Sequence, residues 1–98
     1  MWVSPGEVEA VVVTHPAVVE AAVIAESDAQ GGTIPAAYVQ LRVGHAPGDG
    51  LAAEIMARAA ESLPRFKRPQ RVHFMDELPR TPTGKVQRFK LRELSRRR

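Results

Sequence analysis

Proline and glycine cut this chain into pieces too short for anything but a small, layered fold. Breaks fall at His15-Pro16, across residues 27–32 and 44–50, at Pro64, and across residues 76–84. Each break disfavours a long helix or a long continuous strand. Between the breaks the periodicity changes from piece to piece. Ser4-Pro5-Gly6-Glu7 combines a capping serine, a proline suited to the first helical position and a glutamate spaced to complete a capping box. Val8, Val11 and Val12 then mark one face of a first helix that ends near Pro16. Residues 18–25 are short and rich in β-branched side chains, which predicts a mostly buried strand. From Ala37 the pattern alternates, with Val39, Leu41 and Val43 on one side and Tyr38, Gln40 and Arg42 on the other. That predicts a half-buried strand, paired with the first in a hairpin-like unit. Leu51, Ile55, Ala59 and Leu63 recur at helical spacing, leaving Glu54, Arg58 and Glu61 for solvent, until Pro64 ends the second helix. Val72 and Phe74 alternate with Arg71 and His73 in a third short strand. Residues 76–84 form a loop, and Phe89, Leu91 and Leu94, set among Arg88, Lys90 and Arg92, predict a short terminal helix. The expected fold is α+β, a small three-stranded sheet with flanking helices in the order α-β-β-α-β-loop-α.

A chain of 98 residues has room for one domain and one modest core, since a domain of this size buries only about two-thirds of its unfolded surface. It is too small for a complete nucleotide-dependent enzyme. The longest apolar runs are broken by Glu9 and Glu20 and fall well short of the roughly 20 residues that span a bilayer. The start has no basic region followed by an apolar stretch, so no secretory signal is read there. With no cysteine there is neither disulfide nor thiolate chemistry, and a cytoplasmic location is the expectation. The net charge of +3 is unevenly spread: residues 1–62 carry two basic side chains against eight acidic ones, and residues 63–98 twelve against three. Such asymmetry points to a phosphate-bearing partner, whether nucleotide, coenzyme A or nucleic acid.

The most informative stretch is Leu78-Pro79-Arg80-Thr81-Pro82-Thr83-Gly84-Lys85-Val86-Gln87-Arg88. Two prolines stiffen it, a glycine ends it, and one lysine sits on a short turn ahead of a helix. A lysine held in this way can be aimed at a phosphate or carboxylate oxygen as a point charge. A solvated loop lysine is the competing reading.

Pro79-Arg80-Thr81-Pro82-Thr83-Gly84-Lys85 resembles the last conserved motif of the adenylate-forming (AMP-binding) superfamily, which includes acyl-CoA synthetases, peptide-synthetase adenylation domains and luciferases. The resemblance covers nearly the whole chain. Val3-Ser4-Pro5-Gly6-Glu7-Val8-Glu9 is similar to the segment after the family's interdomain hinge. His15-Pro16-Ala17-Val18-Val19-Glu20-Ala21-Ala22-Val23 resembles its first helix-to-strand passage, and Phe66-Lys67-Arg68-Pro69 the motif before its third strand. Within the superfamily, Met1-Trp2-Val3-Ser4-Pro5 and the run from Gly84 to Arg92 look most like benzoate-type aryl-CoA ligases.

This resemblance implies that residues 1–98 are the mobile C-terminal domain of an AMP-forming acyl- or aryl-CoA ligase, inactive alone, with a large N-terminal domain as partner. That domain would hold ATP, Mg2+ and the small carboxylic acid substrate. A carboxylate and ATP would give acyl-adenylate and pyrophosphate, and coenzyme A would then displace AMP. Lys85, presented by Gly84, matches the lysine of the adenylation step, and in some relatives the matching lysine is switched off by acetylation. Phe66 and Arg68 match positions that contact the coenzyme A nucleotide in some aryl-CoA ligases. Relatives with that arrangement carry a tryptophan in the loop after the first strand, where this chain has Gly31 or Gly32. An interface or core role for Phe66, with Arg68 a solvated charge, is the alternative. Trp2 could pack against the large domain. His15, His45 and His73 lack ligand-like spacing, so no metal site is expected. Ser4 reads as a helix cap and Asp76-Glu77 as a solvated turn. Two other functions fit less of the sequence: an adenylation domain that loads a carrier protein, and a free-standing basic module binding nucleic acid through residues 65–98. The latter has one aromatic, Phe89, near its basic tail and none of the familiar motifs.

Overall fold

The computed structural model describes residues 4–97; Trp2, and with it the expected packing against a larger domain, lies outside them. Helix α1 (Pro5–Val12) leads into strand β1 (Val18–Ser27) and strand β2 (Thr33–Leu41). Helix α2 (Asp49–Ser62) and a 3-10 turn (Arg65–Lys67) follow, then strand β3 (Arg71–Met75), and finally helix α3 (Arg88–Arg96). This is the α+β order expected from the periodicity. The sheet has three strands in the order β1-β2-β3. β1 and β2 run antiparallel, with Val23 opposite Ala37 and Ser27 opposite Thr33, while β2 and β3 are parallel, with Tyr38 opposite His73. Parallel neighbours need a long connection, and α2 supplies it.

β2 departs from its expected half-burial. It begins at Thr33 and stops at Leu41, residues 34–39 are all buried, and Val43 lies fully exposed beyond its end. The reason is its position between two strands and two helical layers. On one face Ala37 and Val39 join Val8, Val12, Val23, Ile55 and Ala59 beneath α1 and α2. On the other, Ala36 and Tyr38 join Ala22, Ile24, Leu78 and Leu91 beneath α3 and the loop before it. Both faces of a central strand are therefore apolar, as in sheets covered on both sides.

The first helix also differs in detail. Ser4 takes the N-cap position without a side-chain cap bond, so the expected capping box does not form. Glu7 instead reaches Lys67 at 2.6 Å, tying α1 to the 3-10 turn. His15 is buried and closes the passage from α1 to β1: its Nδ1 accepts from the Ala17 amide at 3.0 Å, and its Nε2 lies 3.0 Å from Glu54 on α2. No helix among the described residues is long and apolar enough to cross a membrane.

Candidate functional site: the lysine hairpin and its supports

The loop carrying Lys85 is a miniature hairpin. Arg80 and Val86 form an antiparallel bridge, the Thr81 amide donates to the Lys85 carbonyl at 2.8 Å, and the Gln87 amide to that of Pro79 at 2.8 Å. Between the arms, the Gly84 amide donates to the Thr81 carbonyl at 2.9 Å, closing a four-residue turn with Pro82 at the position where its fixed φ fits best. Gly84 follows at φ +91°, the left-handed region that favours glycine. The Thr81 hydroxyl accepts from the Lys85 amide at 3.1 Å and lies 2.9 Å from the Thr83 hydroxyl. Local hydrogen bonds therefore brace the backbone at Lys85. Gly84→Ala meets no steric obstacle, only the wrong φ, so it is expected to cost about 1–2 kcal/mol of hairpin stability. Urea unfolding measures that loss; a variant as stable as the parent would show that the turn does not depend on its glycine.

Both roots of the hairpin are anchored in the sheet. Leu78 is buried against Ala36, Tyr38 and Leu91, and its amide donates to Gln40 Oε1 at 3.2 Å. Arg80 donates to the same oxygen at 3.4 Å and pairs with Glu20 on β1. On the other side, Arg88 grips Glu9 with contacts of 2.5, 2.7 and 3.1 Å. Glu9 Oε2 also accepts the amide of Val23 at 2.8 Å, so α1, β1 and the start of α3 meet at one carboxylate. Bidentate arginine–carboxylate pairs are among the strongest of such contacts. Sequence reasoning missed these supports. The signal lay in the charge asymmetry, which reads as attraction for an external anion. Part of it is internal: Glu7, Glu9, Glu20 and Glu26 of the acidic half pair with Lys67, Arg88, Arg80 and Arg71 of the basic half.

Lys85 itself is exposed and belongs to none of the ion pairs among the described residues. Phe66 and Arg68 are not brought to it. They precede β3, whereas the hairpin follows it, with the five residues of that strand between them in the chain. Phe66 is 55% exposed, with the Lys67 ammonium 5.8 Å from its ring centroid. Arg68 turns inward, donating from Nε to the Leu63 carbonyl at 2.8 Å and from Nη2 to the Ala60 carbonyl at 3.2 Å. It thereby satisfies carbonyls at the C-terminal end of α2 that would otherwise lack partners. Arg68→Ala is expected to cost about 1 kcal/mol in a urea titration. Arg68→Lys should not restore it, because an ammonium cannot span two carbonyls as the planar fork does; full rescue by lysine would show that charge alone matters.

The three-layer frame beneath the hairpin is shared with known proteins. The family described as the AMP-binding enzyme C-terminal domain matches residues 7–85. This chain belongs to that family. Its resemblance to AMP-binding C-terminal domains extends to individual relatives. The chain is 41% identical over 92 residues to a benzoate-CoA ligase of Thauera aromatica, covering 94% of this chain and 18% of that protein. The crystal structure of an anthranilate CoA ligase in complex with anthranoyl-AMP superimposes with a TM-score of 0.92 at 42% identity, over 97% of this chain and 18% of that one. A benzoate CoA ligase from Burkholderia xenovorans LB400 gives 0.86 at 47% identity, over 93% and 18% respectively. The chain thus spans under a fifth of the length of these relatives.

Proposed function

We propose that this chain is the mobile C-terminal domain of an AMP-forming acyl- or aryl-CoA ligase, and that Lys85 serves the first of its two steps. In that step a carboxylate oxygen attacks the α-phosphorus of ATP and pyrophosphate departs with the bonding electrons. In the second, the coenzyme A sulfur attacks the acyl carbon and AMP departs. The observation that carries the reading is the hairpin itself: an exposed ammonium without a partner among the described residues, on a backbone held by four local hydrogen bonds. Negative charge grows on the oxygens around the α-phosphorus during adenylation, and a preorganised cation there lowers the barrier. An ammonium already paired to a carboxylate would offer much less.

The described residues bring no three histidine, aspartate or glutamate side chains together. They do not fit a Mg2+ site by themselves. ATP and the acid would be held by the large N-terminal domain, and the isolated chain is expected to be inactive. For coenzyme A, Phe66 offers a half-exposed ring on which a nucleotide base can stack, while Arg68 holds the turn that presents it. The test is Lys85→Ala in the ligase containing this chain, with the two half-reactions assayed separately. Loss confined to adenylation supports the assignment; equal losses in both half-reactions, or none, defeat it.

A further inference from the structure

The end of the sheet remote from the hairpin carries a feature that the proposed reaction does not use. Between the end of β1, the start of β3 and the C-terminal half of α3 lies a cleft of about 650 Å³, lined by Glu26, Arg71, His73, Arg92, Ser95 and Arg96. Glu26 and the hairpin anchor Glu20 are six residues apart on β1, roughly 20 Å.

The charges in this cleft do not balance. Among the described residues Glu26 is its one carboxylate, and its side chain is 2% exposed. It already accepts from the Tyr38 hydroxyl at 2.5 Å and from Arg71 at 3.0 Å, with His73 Nε2 at 3.1 Å. Arg92 and Arg96 stand one helical turn apart, with Ser95 on the same side, and neither has a carboxylate within 4.0 Å among the described residues. Arg71 converges on them from β3 with its side chain 41% exposed. Like charges at this helical spacing repel, and a concave, partly shielded site strengthens that repulsion. The helix dipole favours cations near the end of α3 and so accounts for Arg96, and Glu26 accounts for Arg71, but neither accounts for Arg92 lining the same cleft. An anion of two or more charges would relieve the repulsion, and guanidinium forks with a hydroxyl between them match phosphate oxygens in geometry. The volume lies within the range of small-molecule sites.

We propose that this cleft binds the phosphate or pyrophosphate group of a small phosphorylated molecule, held by Arg71, Arg92 and Arg96 with Ser95 as a further donor. The anion's oxygens accept hydrogen bonds there, and no covalent step is involved.

The test is an amide-resolved NMR titration of the 98-residue chain with pyrophosphate, inorganic phosphate and AMP at constant ionic strength. Pyrophosphate should give saturable shifts at Ser27, Arg92, Ser95 and Arg96 with a Kd of about 1 mM or lower. Arg92→Ala/Arg96→Ala should weaken binding about tenfold or more, while Lys85→Ala leaves it unchanged. Both arginines are exposed and pack no core, so an unchanged thermal midpoint shows that the double variant is folded. If AMP binds more tightly than inorganic phosphate, the nucleoside adds contacts; if equally, the phosphate alone is recognised. The proposal is overturned if the shifts are matched by equivalent chloride, if the double variant binds as well as the parent, or if only an acidic peptide binds.

Discussion

In the proposed full-length ligase, Lys85→Ala is expected to slow adenylation by about 10²- to 10³-fold, the range seen when one preorganised group facing developing negative charge is removed. The size follows from what the side chain does not do in its own domain. It is exposed and joins no ion pair among the described residues, so its removal should shift stability by no more than about 0.5 kcal/mol. Any large kinetic loss is then a loss of contact in the transition state. Thioester formation from supplied acyl-adenylate should remain within about tenfold of the parent, because that step needs no cation at the α-phosphorus. The measurement is pyrophosphate release for the first half-reaction and AMP release for the second, with a melting curve on each protein. Lys85→Arg keeps the charge but replaces a compact ammonium with a planar fork, and should recover only part of the rate. A Lys85→Ala enzyme that adenylates at the parental rate would remove the residue from the mechanism, leaving the fold assignment intact.

Glu26→Gln is expected to destabilise the chain by about 3 kcal/mol at neutral pH and to flatten its response to acid. Burial by itself would raise the pKa of Glu26, but hydrogen bonds from Tyr38, His73 and Arg71, with the charge of His73, outweigh it and hold the carboxyl near 2 instead of the ordinary 4.5. A pKa lower in the folded state than in the unfolded chain means that folding favours the ionised form. The contribution is fully present above pH 4.5 and disappears as the pH falls through about 2. The difference between the two pKa values corresponds to about 3 kcal/mol. Urea unfolding followed by circular dichroism, from pH 6 down to pH 2, should show the gap between parent and variant closing across that window. Parallel curves would mean that the carboxylate is not held by these partners. The same network bears on the phosphate cleft, because a neutral side chain at position 26 no longer offsets the charge of Arg71 and should tighten pyrophosphate binding.

Much of the architecture was legible from period and punctuation. The short β-branched run at residues 18–25 lies within β1, Val72 and Phe74 within β3, and Leu51, Ile55 and Ala59 on α2. Pro64 directly follows Leu63, the C-cap of α2. Where local reading failed, a non-local contact decided. Ser4 and Glu7 have the residue types of a capping box, but Lys67 arrives from across the fold and takes the glutamate. β2 reads as half-buried because Gln40 and Arg42 alternate with Val39 and Leu41. Its earlier half, with Ile34, Ala36 and Tyr38 buried, belongs to the centre of the sheet.

The sequence by itself determined the order and kind of the elements, and the turn that displays Lys85. Both depend on interactions between residues a few positions apart, which periodicity, proline and glycine report directly. Tertiary structure alone decided that β3 would lie parallel to β2, that Arg88 would find Glu9 and Arg80 find Glu20, and that Arg71 would share a cleft with Arg92 and Arg96. These pairings join residues 21 to 79 positions apart. A charge pattern can show that two halves of a chain complement one another, but which carboxylate meets which guanidinium depends on the register of the sheet and on where the helices rest upon it.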